Sequence, residues 1–342
     1  MKALSKPKRA ATIYDVARLA GVSIATVSRA MRGSDLVTAE TREKVRAAAE
    51  ELSFTPSRLG RSLAEGRHAA NGIVFPHLVG PYYAEVLLGY EEAAAELGRS
   101  VLILATQGRT DATAQVLELA GRVDGMVVMG RTVPDEVVVE LARHGPPLVL
   151  LAREPVGDLD TIRSENAATA RELAAHLVEH GYRRVAFLGD PDAHPDVADR
   201  FAGLAAGLEA AGVRLPPAIR CAFDVDAGQA AAEALLRARR RPEVLVCAND
   251  EVALGVHLAV TEAGLRIPAD LAITGWDDVM AARFVGLTTA RQPMRELGAI
   301  AARWLHDRMV KPTGVPVRRQ VLPTQLVVRG SCGTHEVKAG GS

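Results

Sequence analysis

Residues 12–33 read TIYDVARLAGVSIATVSRAMRG, and this stretch decides what the N-terminal part of the chain is. Thr12, with Asp15 three residues on, makes a capping-box-like helix start. Val16, Leu19 and Ala20 follow at helical spacing, and Gly21 stops the helix. Ser23 opens a second helix through Met31, with Val27 and Ala30 facing inward, and Gly33 ends it. Thr38 opens a third, in which Val45, Ala48, Ala49 and Leu52 form the buried stripe. Two short helices split by a glycine turn and braced by a third are helix-turn-helix organisation. The outward residues of the second helix, Ser23, Ala25, Thr26, Ser28 and Arg29, are short or basic. Hydroxyls bond phosphates and arginine bonds guanine bidentately, so this face suits the major groove of duplex DNA.

Charge points the same way once it is divided. The 342 residues carry 41 basic and 41 acidic side chains, a net charge of zero. Residues 1–67 hold 13 Lys and Arg against 7 Asp and Glu, which is +6, and the remainder holds 28 against 34, which is −6. A basic end on an acidic body is the asymmetry of a nucleic-acid-binding head on a different module. The length suggests two or three domains, and an apolar content of 48% excludes a disordered chain. No apolar run approaches a membrane span, and MKALSKPKRAAT lacks the apolar stretch of a signal peptide, so a cytoplasmic protein is expected. Cys221, Cys247 and Cys332 are odd in number and far apart, which argues against a disulfide framework or a zinc site; no metal and no cofactor are expected.

After Pro56, which ends the third helix, SRLGRSLA reads as one or two helical turns, too short to be stable alone. Beyond it strand and helix alternate. AANGIVFPH, SVLILAT, DGMVVMG, PLVLLAR, RRVAFLGD, AIRCAF, EVLVCAND and LAITGW read as strands, and stretches such as YYAEVLLGYEEAAAELG and DEVALGVHLAVTEAG read as helices. Continuous apolar strands alternating with helices imply parallel sheets covered on both faces. The pattern occurs twice. The expected organisation is a helix-turn-helix headpiece over 1–56, a hinge over 57–67, and an α/β body over 68–330 made of two doubly wound parallel-sheet subdomains. The first subdomain spans about 69–163 plus a return over 291–325, the second about 164–290, and 331–342 is read as a disordered tail. Ligands bind beyond the C-terminal ends of such strands, so the two sheets share one cleft.

Residues 12–33, followed by VTAETREKVRAAAEELSFTPSRLGRSLAEGR, resemble the lactose/galactose-repressor (LacI/GalR) family of bacterial transcription regulators. The resemblance implies that Ile24 and Ala25 choose the operator sequence, that Thr12, Thr26 and Ser28 touch phosphate, and that Arg29 reads a base, with Ser23 and Arg58 in the same DNA-binding set. Ile24 and Ala25 have no side-chain hydrogen-bonding group, so Arg29 is left to supply most of the hydrogen-bonded base readout. Leu63 falls where the family wedges a leucine into the central base step of the minor groove. Gly60 stands where alanine is common, which weakens the hinge helix by up to about 1 kcal/mol and eases operator release. The body is similar to periplasmic binding proteins through PYYAEVLLGYEEAAAELG, LVEHGYRRVAFLGD, ADRFAGLAAGLEAAG, CANDEVALGVHLAVTEAGLRIPADLAITGWDD and LTTARQPMRELG. By that likeness Arg200, Asn249 and Asp277 contact an effector, Tyr82 and Tyr83 line its pocket beside Pro81, and His77, His194 and Asp196 fall on pocket-facing loops. Asp250 and Asp278 read as helix caps or braces. An aromatic often stacks on ligand near Val225; here Phe223 lies two residues earlier, which leaves stacking open. Arg163 is an effector candidate too; with Arg153 and Arg200 it makes a basic pocket for a phosphorylated or carboxylated ligand, or else Arg153 and Arg163 lie on the surface.

The expected function is a ligand-responsive, sequence-specific transcription regulator, a repressor bound as a homodimer to a palindromic operator and released by a small effector such as a sugar. Recruitment by a corepressor is the opposite sign. A solute-binding protein or non-catalytic sensor is the alternative. Enzyme motifs such as GxSxG, a P-loop, HExxH or GxGxxG are absent from the sequence. CGTHEVKAGGS, after Ser331, has no leucine heptads, so a dimer is expected in place of a tetramer.

Overall fold

Cap residues and glycines cut the first segment of the chain into three helices, α1 (Ile13–Ala20), α2 (Ile24–Met31) and α3 (Ala39–Glu51). The computed structural model describes residues 11–31, 33–54, 68–311 and 313–333. The chain divides into two units, Met1–His68 and Ala69–Ser342. In the first, Val16, Ala17, Val27, Ala30, Val37, Val45, Ala48 and Ala49 form one buried cluster. Leu19, expected on the inward stripe, is 46% exposed, and Ala17 takes the buried place beside Val16. Gly21 has φ +65°, the left-handed backbone that ends α1 and turns the chain into α2.

The second unit begins with β1 (Ala70–Phe75), α4 (Pro81–Glu96), β2 (Ser100–Ala105), α5 (Ala112–Ala120), β3 (Gly125–Met129), α6 (Asp135–His144), β4 (Leu148–Leu151) and β5 (Asp160–Ser164). There follow α7 (Ala167–Glu179), β6 (Val185–Leu188), α8 (Pro195–Ala210), α9 (Val225–Leu236), β7 (Val244–Cys247), α10 (Asp250–Glu262), β8 (Ala272–Thr274), α11 (Met280–Phe284) and β9 (Thr289–Arg291). The described chain closes with α12 (Met294–Val310), β10 (Arg319–Leu322), β11 (Gln325–Val327) and a 3-10 turn, Gly330–Cys332. The first sheet runs β10-β5-β4-β3-β1-β2, parallel throughout. The second is β6-β7-β8, also parallel, and β9 and β11 pair antiparallel beside it. All six residues of β1 and all five of β3 are buried, as strands covered on both faces require.

Helices α4 and α12 cross at two glycines: a Cβ on Gly89 would run into the carbonyl oxygen of Arg295, and one on Gly298 into that of Val86. Their backbones touch, and the pair covers the first sheet through Val86, Tyr90, Leu297, Ala301 and Leu305.

Two sequence expectations need correction. AIRCAF is not a strand: Ile219 makes a single parallel bridge to Leu188, and the next residue, Arg220, turns out to solvent, where it pairs with Asp190 and Asp192. The return to the first subdomain closes with β10, which completes the first sheet at Leu322, and Leu326 packs against the core of the second. The chain therefore passes between the subdomains three times, near 164–167, 291–294 and 322–325. Residues 331–333 are not a disordered tail: Ser331 Oγ donates to the Ile273 carbonyl at 2.5 Å, and Cys332 is fully buried with its sulfur 3.2 Å from His176 Nε2. Among the described residues no helix is long and apolar enough to cross a membrane.

Strands β5, β9, β10 and β11 carry no long apolar run. Strand β5 is seated by its own buried acid: the Asp160 carboxylate accepts from Arg308 at 2.6 and 3.0 Å and from Arg318 at 2.7 and 3.0 Å, and Arg318 also lies over the Trp304 ring. That acid ties β5, α12 and the approach to β10 together.

Candidate functional site

The first unit presents α2. Ser23 stands before its first turn and its Oγ accepts from the Thr26 backbone at 3.1 Å, satisfying one of the helix's free amides. With Val27 and Ala30 buried, helical spacing turns the other face outward: Ser23, Ile24, Ala25 and Arg29 are exposed, Thr26 and Ser28 half-buried. Thr12 sits at the start of α1, where its backbone and hydroxyl both donate to Asp15 Oδ2, at 2.9 and 2.7 Å. Tyr14, not singled out in the sequence, is 64% exposed in the first turn of α1, a flat amphipathic ring on open surface. Its position just off the Val16 stripe was the available signal. Arg58, Gly60 and Leu63 lie outside the described residues.

In the second unit, strand ends of both sheets converge on a cavity of about 130 Å³. Pro76 and His77 follow β1, Arg131 follows β3, Ala152 follows β4, Asn249 follows β7 and Asp277 follows β8. Arg200 rises from the first turns of α8. Its guanidinium donates to Asn166 Oδ1 at 2.8 Å and to the Ala248 carbonyl at 2.7 Å, and it stacks on Trp276 at 4.8 Å. Asn249 caps α10, accepting from the Val252 amide at 2.9 Å. Asp277 accepts from Gln292 Nε2 at 2.6 Å, and no ion pair joins it to Arg200 among the described residues.

The turn that carries Asp277 is strained, with φ +116° at Asp277 and +57° at Asp278. Asp278 holds it: its carboxylate accepts from Arg291 at 2.7 Å and from Arg329 at 2.6 Å. Buried Asp250 adds acceptors for the Val279 amide at 2.9 Å and the Thr289 hydroxyl at 2.6 Å. Both acids therefore brace the site from behind.

Burial dominates the titration of the lining groups. It pushes Asp277 up to about 7 and Asp196 up to about 6, with the Arg200 charge opposing in both. It also raises Glu251, Tyr82 and Tyr83, and lowers His77 and His194, so neither imidazole is held charged. Tyr83 packs edge-on against both Tyr82 and His77, and Phe223 lies tilted against His194 at 4.5 Å.

Of the residues expected here, the cavity brings together His77, Tyr82, Tyr83, His194, Asp196, Arg200, Asn249 and Asp277. Phe223 lines it and Val225 does not, which places the aromatic two residues early. Arg163 is a correction: it is absent from the lining and pairs with Glu154, with Asp199 at 3.7 Å. Arg153 is buried against Asp135, so the three-arginine pocket does not form. Sequence reading missed Arg131, Glu251, Gln292 and the Arg200 partner Asn166. Asn166 stands in SENAATA just before α7, a cap-like position, while Gln292 offered no signal. Among the described residues no three His, Cys, Asp or Glu side chains are placed to hold a metal ion.

Comparison with known proteins gives concordant results. The family model described as bacterial regulatory proteins, lacI family, matches residues 12–57, and that of a periplasmic binding protein-like domain matches 174–332. The HTH-type transcriptional repressor CytR of Escherichia coli (strain K12) is 33% identical over 339 residues, 97% of this chain and 98% of the relative. The ribose operon repressor of the same organism is 34% identical over 331 residues, 94% of this chain and 99% of the relative. Among solved structures, the lac repressor dimer bound to operator and the anti-inducer ONPF superposes with a TM-score of 0.84 at 29% identity, covering 95% of this chain and 100% of that one.

Proposed function

This chain belongs to the lacI family of bacterial regulatory proteins, and from that premise we propose how it works. It is a cytoplasmic repressor that grips a palindromic operator as a homodimer, with α2 of each copy in the major groove and Arg29 as its principal base reader. A small carbohydrate enters the cavity around Arg200 and Asp277 and weakens operator binding. The observation that carries this reading is the pairing of two surfaces in one chain. One is an outward helix face of hydroxyls and arginine on a basic unit; the other is a polar, aromatic-walled cavity in a unit of the opposite charge.

The dimer reading has its own support. Strand β2 is an edge of the first sheet, and its Leu102 and Ile103 are exposed, as is Leu88 on the neighbouring α4. An apolar edge strand left open invites another chain. On α11, Met280 and Phe284 are 72% and 82% exposed, a further apolar face suited to a second copy.

Selection of binding sequences from random duplex DNA with the full-length protein is the test. Enrichment of an inverted repeat, with affinity reduced by an effector, supports the reading, and failure to enrich any sequence refutes it. Coupling must be reciprocal, so operator must weaken effector binding by the same factor.

A further inference from the structure

We infer that the cavity, taken as the effector site of the reading above, selects a neutral polyhydroxylated ligand and rejects its phosphorylated or carboxylated counterpart. Three carboxyl groups line it, those of Asp196, Glu251 and Asp277. One buried guanidinium faces them, Arg200, and two of its N–H groups are already spent on Asn166 and on the Ala248 carbonyl. The arginines that would have offset the acids are turned away, Arg153 toward Asp135 and Arg163 toward Glu154. Arg131 also lines the cavity but is exposed and screened by solvent.

Hydrogen-bonding capacity leads to the same ligand. Gln292, 4% exposed and part of the lining, gives its Nε2 to Asp277, and its Oε1 has no partner among the described residues. Walls of carboxyl oxygens call for donors: a sugar hydroxyl donates as well as accepts, whereas the phosphate dianion or carboxylate that an anionic counterpart adds only accepts. Three of the helix N-termini near the cavity, a usual anchor for anions, carry their own oxygens: Asn249 takes the Val252 amide, Asp224 takes the Ala227 amide at 2.8 Å, and Asp196 and Glu251 stand in the first turns of α8 and α10; α4, which brings Tyr82 and Tyr83, has neither a cap side chain nor an acid there.

The facing groups that titrate all act in one direction. Asp196 and Asp277 lose protons between about pH 6 and about 7, and His77 and His194 are pushed down. The cavity becomes more negative as pH rises, so discrimination against an anion widens.

The test uses full-length protein and a panel of pentoses, hexoses, disaccharides and nucleosides, each beside its phosphate ester and, for aldoses, its uronic acid. Thermal shift finds the binders and calorimetry gives Kd. The expected result is a neutral member whose anionic partner binds at least roughly tenfold more weakly. Because a uronate keeps its charge from pH 5.5 to 8, a neutral-to-uronate ratio that widens over that range reports the protein's own acids. Asp277→Asn and Glu251→Gln should each narrow the ratio severalfold at pH 8, and either variant suffices if the other does not fold. An anionic member that binds as tightly as its neutral parent, or a ratio unmoved by both pH and substitution, overturns the inference and leaves the regulator intact. No shift from any compound overturns the effector-site reading and this inference together.

Discussion

The two working surfaces of this chain are built in opposite ways. The proposed DNA-facing surface lies within one short stretch, Ser23–Arg29, with Val27 turned into the core that three small helices share. The cavity comes from residues between Pro76 and Gln292, gathered from the ends of β1, β3, β4, β7 and β8 and the starts of α4, α8 and α10. The first surface is a local property of helical periodicity. The second exists only when two sheets and their crossovers are complete. Substitutions in the body should therefore act at a distance on the cavity, and those in the headpiece should stay local.

The largest expected effect breaks the body. Asp160→Ala leaves Arg308 and Arg318 without their shared acceptor and should cost about 3–5 kcal/mol. Calorimetry should show the body transition falling and the α1–α3 unit unchanged; a common fall in both would erase the contrast between the regions. Next is a pH effect. Asp277, raised to about 7, binds its proton more tightly in the folded chain than in the unfolded one. The stability it lends is complete below its unfolded value of about 4 and is lost as pH climbs through 7. Asp277→Asn should stabilise the body at pH 8 relative to the parent by on the order of 2–4 kcal/mol, read as a higher melting temperature, and should make little difference at pH 4. A parent whose melting temperature gains as much on going from pH 5 to 8 as the variant's does would contradict this sign.

Arg200→Ala removes a charged donor from the cavity and should weaken effector binding by about 1.5–3 kcal/mol, roughly ten- to a hundredfold. Operator affinity without effector should hold, and its loss would mean that Arg200 maintains the operator-binding state itself and does not act through the effector alone. Arg29→Ala should cost about 1–3 kcal/mol on the selected operator and much less on random DNA; equal proportional losses on both would deny Arg29 its reading role. Smallest is Ser23→Ala, which deletes the oxygen that accepts from Thr26 and should cost the headpiece about 1 kcal/mol, read as a lower midpoint in urea.

The same contrast explains what could be read from sequence. Thr12, Gly21, Ser23 and Thr38 mark helix ends by local chemistry, and Val27, Ala30 and Val45 mark the core by spacing, so the headpiece was legible almost residue by residue. In the body, β1, β3, β4 and β7 announce themselves as apolar runs. Strand β5 does not, because Asp160 and Arg163 interrupt it, and a buried acid reads as a loop residue until Arg308 and Arg318 are seen beside it. Gln292 reaches the cavity through the crossing of the chain between sheets, which no window of sequence contains, whereas Glu251 follows Asn249 by two residues in the first turn of α10 and differs from a solvent-facing acid only once the cavity is formed. Arg163 and Arg153 were drawn toward the site by charge alone. Neighbouring acids, Glu154 and Asp135, decided otherwise.

The three passages between subdomains have a consequence for the gene. Neither half of the body is a contiguous stretch of code. The first sheet takes its edge strand, Arg319–Leu322, from codons that follow the entire second sheet, and the second recovers Leu326 and Cys332 only after that. A cut at any one place in the body yields two unfinished halves, so a single crossover cannot trade one half for another. The headpiece, coded in one stretch ahead of both sheets, is the one unit that a single cut separates whole.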